Sequence, residues 1–355
     1  MKKIWKGPSL LLLVSLVVYG CSSSSDIPEQ EEMQERGESA AEIEEGDDGE
    51  GEEDGSVEDE DRIDGERVQR ELYLLDEAGL VVPRTFQLEN DSEVLKQSLE
   101  HLIIEGPITN QLPSGLQAVL PPDTEVQGVD LTADGTAIVD FSPEFADYPE
   151  EQEKALLQSI TWTLTQFDEV EQVEIQINGH EQETLPNAGT PVGDGTARAQ
   201  GINLEGGGPA DITASEAATL YFVSVKEDDH YYVPVTRRIE GNGNEAVEVI
   251  QSLLDGPHPE SKLISGLRQS IELLDEPELE DGVLTVNFNE GILTENDGTA
   301  MSDEALNMLT LSLTEIDQVE EVDYHVNGET QLERVDGEVL AEPVSRPDML
   351  NQEEL

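Results

Sequence analysis

Cysteine occurs once in this chain of 355 residues, at Cys21. A single thiol makes no intramolecular disulfide, and it supplies neither a CxxC redox pair nor a cysteine zinc cluster. Basic residues are also scarce: 18 Lys and Arg stand against 81 Asp and Glu, a formal charge of −63. Direct binding to bare nucleic acid or to an anionic lipid surface needs Lys and Arg against phosphate, so this balance argues against both. Aromatics are only 4% of residues. Trp162 falls within a helical pattern, which assigns it to a partly buried position rather than to a sugar-stacking platform. The one long apolar run, Leu10–Tyr19, has ten residues. That is too short for the roughly 20 residues that cross a bilayer, and no later segment is a transmembrane candidate.

What is present becomes legible by segment. Length suggests about two domains, and 36% hydrophobic residues are enough for folded cores. Residues 1–25 carry a charge of +3, from Lys2, Lys3 and Lys6 ahead of the apolar run. This is the order of a signal peptide, assigned to 1–20. Val18-Tyr19-Gly20-Cys21 resembles a bacterial lipobox, in which a small residue precedes the cysteine that receives diacylglycerol. Cys21 is therefore the expected lipidation site and new N-terminus, holding the chain on the outer face of the cytoplasmic membrane. Residues 26–66 carry −19 with few apolar side chains, so 21–67 reads as a disordered acidic tether. The remaining residues carry −47 and only four Lys. Acids spread along the whole chain read as adaptation to a saline or alkaline medium.

The strongest internal signal is a repeat. Val170–Gly179 (VEQVEIQING) answers Val319–Gly328 (VEEVDYHVNG), 149 residues on. In the same order, Leu72-Tyr73 answers Leu220-Tyr221, Gly106-Pro107 answers Gly256-Pro257, and Ser114-Gly115-Leu116 answers Ser265-Gly266-Leu267. Residues 135–141 answer 282–288. The chain is a tandem duplication, with copies at 68–188 and 217–336, a Gly-rich linker at 189–216 and a flexible tail at 337–355. Each copy begins with a predicted hairpin (Glu71–Leu75 with Leu80–Leu88; Thr219–Val225 with Tyr231–Arg237). An amphipathic helix follows, with Leu95, Leu99, Leu102 and Ile103, or Ala246, Ile250, Leu253 and Leu254, on one face. Asp91 or Ser92 is the expected N-cap of the first and Asn244 of the second, and Gly-Pro is expected to end both. Next come two strands joined at Asp134-Gly135 or Asp281-Gly282. A second helix has its stripe at Leu156, Ile160, Leu164 and Phe167, or Ala305, Leu309, Leu313 and Ile316. A last strand ends at Asn-Gly. Each copy is thus a hairpin plus α-β-β-α-β, an α+β sandwich with helices on one face of a small sheet.

The run Ile103-Ile104-Glu105-Gly106-Pro107, then Leu112–Leu116, Leu120–Thr124 and Val139–Phe145, resembles the GerMN domain of GerM-like sporulation and spore-germination lipoproteins. The second copy keeps Leu253–Pro257, Ser265–Leu267 and Val286-Asn287-Phe288, but lacks the Pro121-Pro122 loop and has Asn287 where the first has Asp140. The resemblance implies a fold similar to ring-building motifs, which pack side by side in envelope-spanning rings. It implies a structural role in such a ring or channel, in the space between the two membranes around the developing spore. The implied partners are sporulation envelope and channel proteins, with peptidoglycan as a further partner and an oligomer as a possible state. The competing readings are a peptidoglycan- or ligand-binding envelope lipoprotein and a cortex-modifying hydrolase.

Catalytic motifs are not found. His101, His180, His230, His258 and His325 occupy no metal spacing. Gly193-Asp194-Gly195 runs on to Arg198 where a dinucleotide loop needs glycine, and there is no Walker A loop or nucleophile elbow. Asp140 is the one carboxylate within a predicted strand. Asn287 at its duplicate position argues for a hydrogen-bonding role rather than acid–base chemistry. No cofactor, metal or catalytic residue is expected.

Overall fold

In the first copy, β1 (Arg67–Asp76) and β2 (Val81–Glu89) form an antiparallel hairpin with Tyr73 opposite Pro83. The Asp76 carboxylate closes its turn by accepting from the Ala78 and Leu80 N–H groups, both at 2.8 Å. This is the local bonding that favours Asp at turns. Strand β3 (Leu116–Gln117) extends the hairpin at Leu75 and Asp76. A computed structural model describes residues 67–352, apart from 207–213, 227–228, 242, 295–299, 331, 338 and 341. The assigned signal peptide, Cys21 and the tether as far as residue 66 lie outside the described residues.

Helix α1 (Val94–Glu100) follows, then β4 (Val126–Leu131), β5 (Thr136–Phe141), α2 (Glu153–Leu164), β6 (Gln172–Ile177) and β7 (His180–Glu181). These strands form one sheet in the order β4-β5-β6-β7. Strands β5 and β6 are parallel, and a parallel pair requires a crossover, which α2 supplies. The second copy repeats the plan with β8 (Ser215–Lys226), β9 (Asp229–Glu240), α3 (Glu245–Asp255), β10 (Glu278–Glu280) and β11 (Val283–Phe288). It continues through β12 (Ala300–Met301), α4 (Asp303–Leu313) and β13 (Glu321–Val326). Strands β14 (Leu332–Arg334) and β15 (Val339–Leu340) join β12 in a small sheet, and β16 (Val344–Ser345) borders β13. The α-β-β-α-β order is therefore present twice.

The hairpins form separate sheets lying across the second helices. Besides its expected stripe, α2 buries Ser159, Thr161, Trp162 and Thr163. The Tyr73 N–H donates to Thr163 Oγ1 at 3.1 Å, Ser159 Oγ donates to the Tyr73 carbonyl, and the Glu71 N–H donates to Gln166 Oε1 at 2.9 Å. In the second copy the Tyr221 N–H donates to Ser312 Oγ at 2.9 Å. The buried hydroxyls thus satisfy backbone groups on the outer edge of each hairpin, which would otherwise be open to another strand. The expected stripes of α2 and α4 are apolar and buried: Leu156, Ile160, Leu309 and Leu313 are each at most 1% exposed. Full burial of such a side chain contributes about 1.5–3 kcal/mol.

Four local expectations change. Asn244 caps α3 by accepting from the Val247 N–H at 3.3 Å, but α1 begins after Glu93 with no side-chain cap. Asp91 accepts from the Glu93 N–H instead, just ahead of the helix. Gly256 ends α3 with φ +81°, whereas α1 stops at Glu100, and Glu105 rather than Gly106 takes the left-handed conformation. The linker is shorter than its composition suggests. Val192 and Ile202 are buried, and the Thr196 and Val173 backbones exchange hydrogen bonds at 2.8 Å, so 190–203 belongs to the folded body. The tail is not free either: Leu350 is 3% exposed.

Candidate functional site at the junction of the two copies

Asp140 Oδ1 accepts from the Gly179 N–H at 2.8 Å, and Asn287 Oδ1 accepts from the Gly328 N–H at 3.0 Å. Both pin the Asn-Gly turn that ends the neighbouring parallel strand, where both turn residues have positive φ. One acceptor oxygen suffices for this task, so Asp140→Asn is expected to leave stability within about 0.5 kcal/mol and Asp140→Ala to cost about 1 kcal/mol. Urea unfolding of the two variants checks this. Trp162 is 1% exposed, with the Arg198 guanidinium 4.3 Å above its ring, so it offers no open platform to a sugar. His101 Nδ1 meets the Gln97 carbonyl and His325 Nε2 meets Asp323. Among the described residues, no group of three or more His, Cys, Asp or Glu is placed to hold a metal ion.

Among the described residues, Glu153 at the start of α2 is the one carboxylate residue with no exposed surface. It accepts from the Tyr148 hydroxyl at 2.9 Å and from the N–H groups of Asn187, Ala188 and Thr190 at 2.8–2.9 Å. Burial pushes its pKa up, but the hydrogen bonds from Thr190, Ala188 and Tyr148 outweigh it and bring the value down to about 2. A carboxylate held ionised in this way ties the 187–190 loop to α2. It is the reverse of a general acid, which needs a raised pKa.

The described residues converge on the junction between the copies. The outer edges of β2 and β9 face each other, and each carries a proline, Pro83 and Pro234, that has no N–H to donate. Two asparagines occupy the gap. Asn203 Oδ1 accepts from the Val81 N–H at 2.8 Å, while its Nδ2 donates to the Val81 carbonyl at 2.7 Å and the Pro234 carbonyl at 2.8 Å. Asn351 repeats this with the copies exchanged: it accepts from the Tyr232 N–H at 2.7 Å and donates to the carbonyls of Tyr232 at 2.8 Å and Pro83 at 2.7 Å. The residues before them match too. The backbone of Ile202 exchanges hydrogen bonds with Thr236, and that of Leu350 with Thr85. The junction has a local pseudo-twofold symmetry. The segment after each copy reaches the hairpin of the other. Gly201 sits at φ +80° where a Cβ would lie 2.9 Å from Thr236, so this approach requires glycine.

Beside the clamps lies a charged cluster. Glu315 accepts from Arg346 Nη1 at 2.9 Å and from the Tyr221 hydroxyl at 2.9 Å, and Arg346 Nη2 donates to that same hydroxyl at 2.8 Å. Burial drives the Tyr221 and Tyr73 pKa values up, so both phenols stay protonated. Tyr73 donates to Glu71 Oε1 at 2.6 Å. An open cleft of about 540 Å³ adjoins the cluster. Two further correspondences in the sequence mark these residues. Val82-Pro83-Arg84-Thr85 answers Val233-Pro234-Val235-Thr236, and Arg198–Asn203 answers Arg346–Asn351 at an offset of 148. The second pair lies in stretches whose composition reads as linker and tail.

Comparison with known proteins places this architecture. The family model described as "Germane: Sporulation and spore germination" matches residues 71–183 and 219–332. The chain is 44% identical over 287 residues to the spore germination protein GerM of Bacillus subtilis (strain 168), covering 80% of this chain and 78% of that one. The solved tandem GerMN domains of the sporulation protein GerM from Bacillus subtilis superpose with a TM-score of 0.75 at 43% identity, covering 81% of this chain and all of theirs. The solved first GerMN domain of that protein is 50% identical over 37% of this chain, with a TM-score of 0.36. With its hairpin and α-β-β-α-β module written twice, the chain belongs to the Germane family of sporulation and spore-germination proteins and carries two GerMN domains in tandem.

Proposed function

We propose that this protein is a lipid-anchored, non-catalytic structural component of the sporulating cell envelope. It is tethered through Cys21 to the outer face of the cytoplasmic membrane. Its two domains work as one body in the assembly or stabilisation of an envelope-spanning ring or channel complex. The observation that carries this reading is the reciprocal asparagine junction, which fuses two small modules into a single rigid building block. Supporting it, the buried carboxylate of Glu153 is committed to backbone donors. Among the described residues, no helix is long and apolar enough to cross a membrane.

Crosslinking with mass spectrometry in sporulating cells is expected to recover envelope or channel proteins as neighbours. Normal sporulation and normal recovery of the channel complex after gene deletion would sink the assembly role. Independently, Cys21→Ser is expected to move the protein from the membrane fraction to the soluble or precursor fraction. A variant that stays membrane-bound and fully processed would remove the anchor from the proposal.

A further inference from the structure

The open cleft of about 540 Å³ lies between the two copies and is lined from both, with Gln69, Arg70, Glu71 and Thr165 on one side and Glu315 and Asp348 on the other. Its charges are unusual for this chain. The residues beyond the tether carry −47, yet the cleft gathers three guanidinium groups, Arg70, Arg198 and Arg346, against three carboxylates, Glu71, Glu315 and Asp348. The cleft is thus formally neutral within a strongly acidic body.

Several of these groups keep unused bonding capacity. Arg346 is committed to Glu315 and Tyr221. Arg198 is held more loosely: its Nε donates to Thr165 Oγ1 at 3.1 Å, and Nη1 is ion-paired with Glu315 Oε2 at 3.6 Å, beyond hydrogen-bonding distance. Seated over Trp162, it lines the cleft with a side chain 30% exposed. Arg70 uses Nη1 on the Gln69 carbonyl. On the acidic side, Glu71 uses one oxygen for the Tyr73 hydroxyl, and Asp348 is exposed.

We propose that this cleft binds a short zwitterionic peptide, its carboxylate received by Arg198 and Arg70 and its ammonium by Glu71 and Asp348. The charge balance selects the ligand. A simple anion would meet three carboxylates and a simple cation three guanidinium groups. A molecule carrying both charges leaves neither sign uncompensated. The volume is in the range of small-ligand sites, and the exposed Gln69 adds a neutral polar group suited to a peptide amide. Because both copies supply the lining, docking of the copies is a condition for binding. The site is independent of the assembly role proposed above.

The test is calorimetric titration of the full chain with trialanine, N-acetyl-trialanine and trialanine amide. Blocking either terminus is expected to weaken binding about ten-fold, the loss of one set of charge-assisted hydrogen bonds. Arg198→Gln is expected to weaken trialanine and the N-acetyl peptide but to leave the amide unchanged. Asp348→Asn is expected to weaken trialanine and the amide but to leave the N-acetyl peptide unchanged. Asp348 is exposed, so its variant keeps the test valid even if Arg198→Gln disturbs the junction. Equal affinities for the three peptides, or no binding up to about 10 mM, overturn the proposal.

Discussion

Replacing Asn203 or Asn351 by Ala is expected to cost about 3–4 kcal/mol each and to loosen the two domains from one another. Each side chain makes three hydrogen bonds to backbone groups of β2 and β9. A net hydrogen bond contributes about 1 kcal/mol, and more is lost where a part-buried backbone group is left without a partner. Each asparagine also sits at positive φ, 45° for Asn203 and 55° for Asn351. Ala is disfavoured there by roughly 1 kcal/mol, whereas Asn tolerates it. Asn→Gly separates the two causes: it relieves the backbone but restores no hydrogen bond, so it should recover only the smaller share. Denaturant unfolding reads the stability, and small-angle scattering reads the docking. The double variant is expected to unfold in two steps, one for each domain, with a larger radius of gyration. A single transition at wild-type midpoint would show that the clamps are ornamental to the junction.

Glu153→Gln is expected to cost about 3 kcal/mol at neutral pH and to flatten the acid dependence of the first domain. The folded carboxyl is held at about 2 against an ordinary value of 4.5. For a depressed pKa, the stabilising contribution is fully present above the unfolded value. It fades as pH falls from about 4.5 toward 2, because protons then bind the unfolded chain more readily than the folded one. At about 1.4 kcal/mol per pKa unit, the shift corresponds to roughly 3 kcal/mol. Gln keeps one acceptor oxygen, but its NH₂ group then points at backbone N–H donors of the 187–190 loop, and two donors facing each other carry no bond. The measurement is the unfolding midpoint at pH 7, 4.5 and 3. Wild type should lose stability steeply across this range, while the variant starts lower and changes less. Parallel pH curves for the two proteins would exclude the assigned role. The second domain is an internal comparison. The corresponding position there is Ser302, which caps α4 by accepting from the Ala305 N–H at 3.2 Å and brings no buried charge.

Much of this architecture is legible in the sequence for a local reason. Helix stripes at Leu156, Ile160 and Leu164, and strand alternation at Ala137, Val139 and Phe141, are periodicities that burial imposes on nearest neighbours in the chain. Asn-Gly and Asp-Gly turns need positive φ, and few residues supply it. The pairing of Asp140 with the Gly179 turn also has a sequence shadow, because the duplication wrote Asn287 in the same place. Composition misleads in two stretches. Residues 190–203 and 344–351 contain much Gly, Ala, Pro and Asp, and their few apolar anchors, Val192, Ile202 and Leu350, are too sparse to show a period. Such segments fold because a preformed surface receives them.

The sequence by itself determined the domain and its duplication: an α+β module with a hairpin, written twice, bearing an excess of acid and a single cysteine. These follow from local periodicity, turn chemistry and counting. Only the tertiary structure decided that the two copies dock, and how. That decision rests on Pro83 and Pro234, which deny β2 and β9 a continuous ladder, and on Asn203 and Asn351, 122 and 268 residues from their partners in β2, which bridge the gap. It also rests on the gathering of Arg70, Arg198 and Arg346 into one cleft of an otherwise acidic body. Contacts between residues so far apart leave no period in the chain, because the geometry that joins them exists only once both modules have folded.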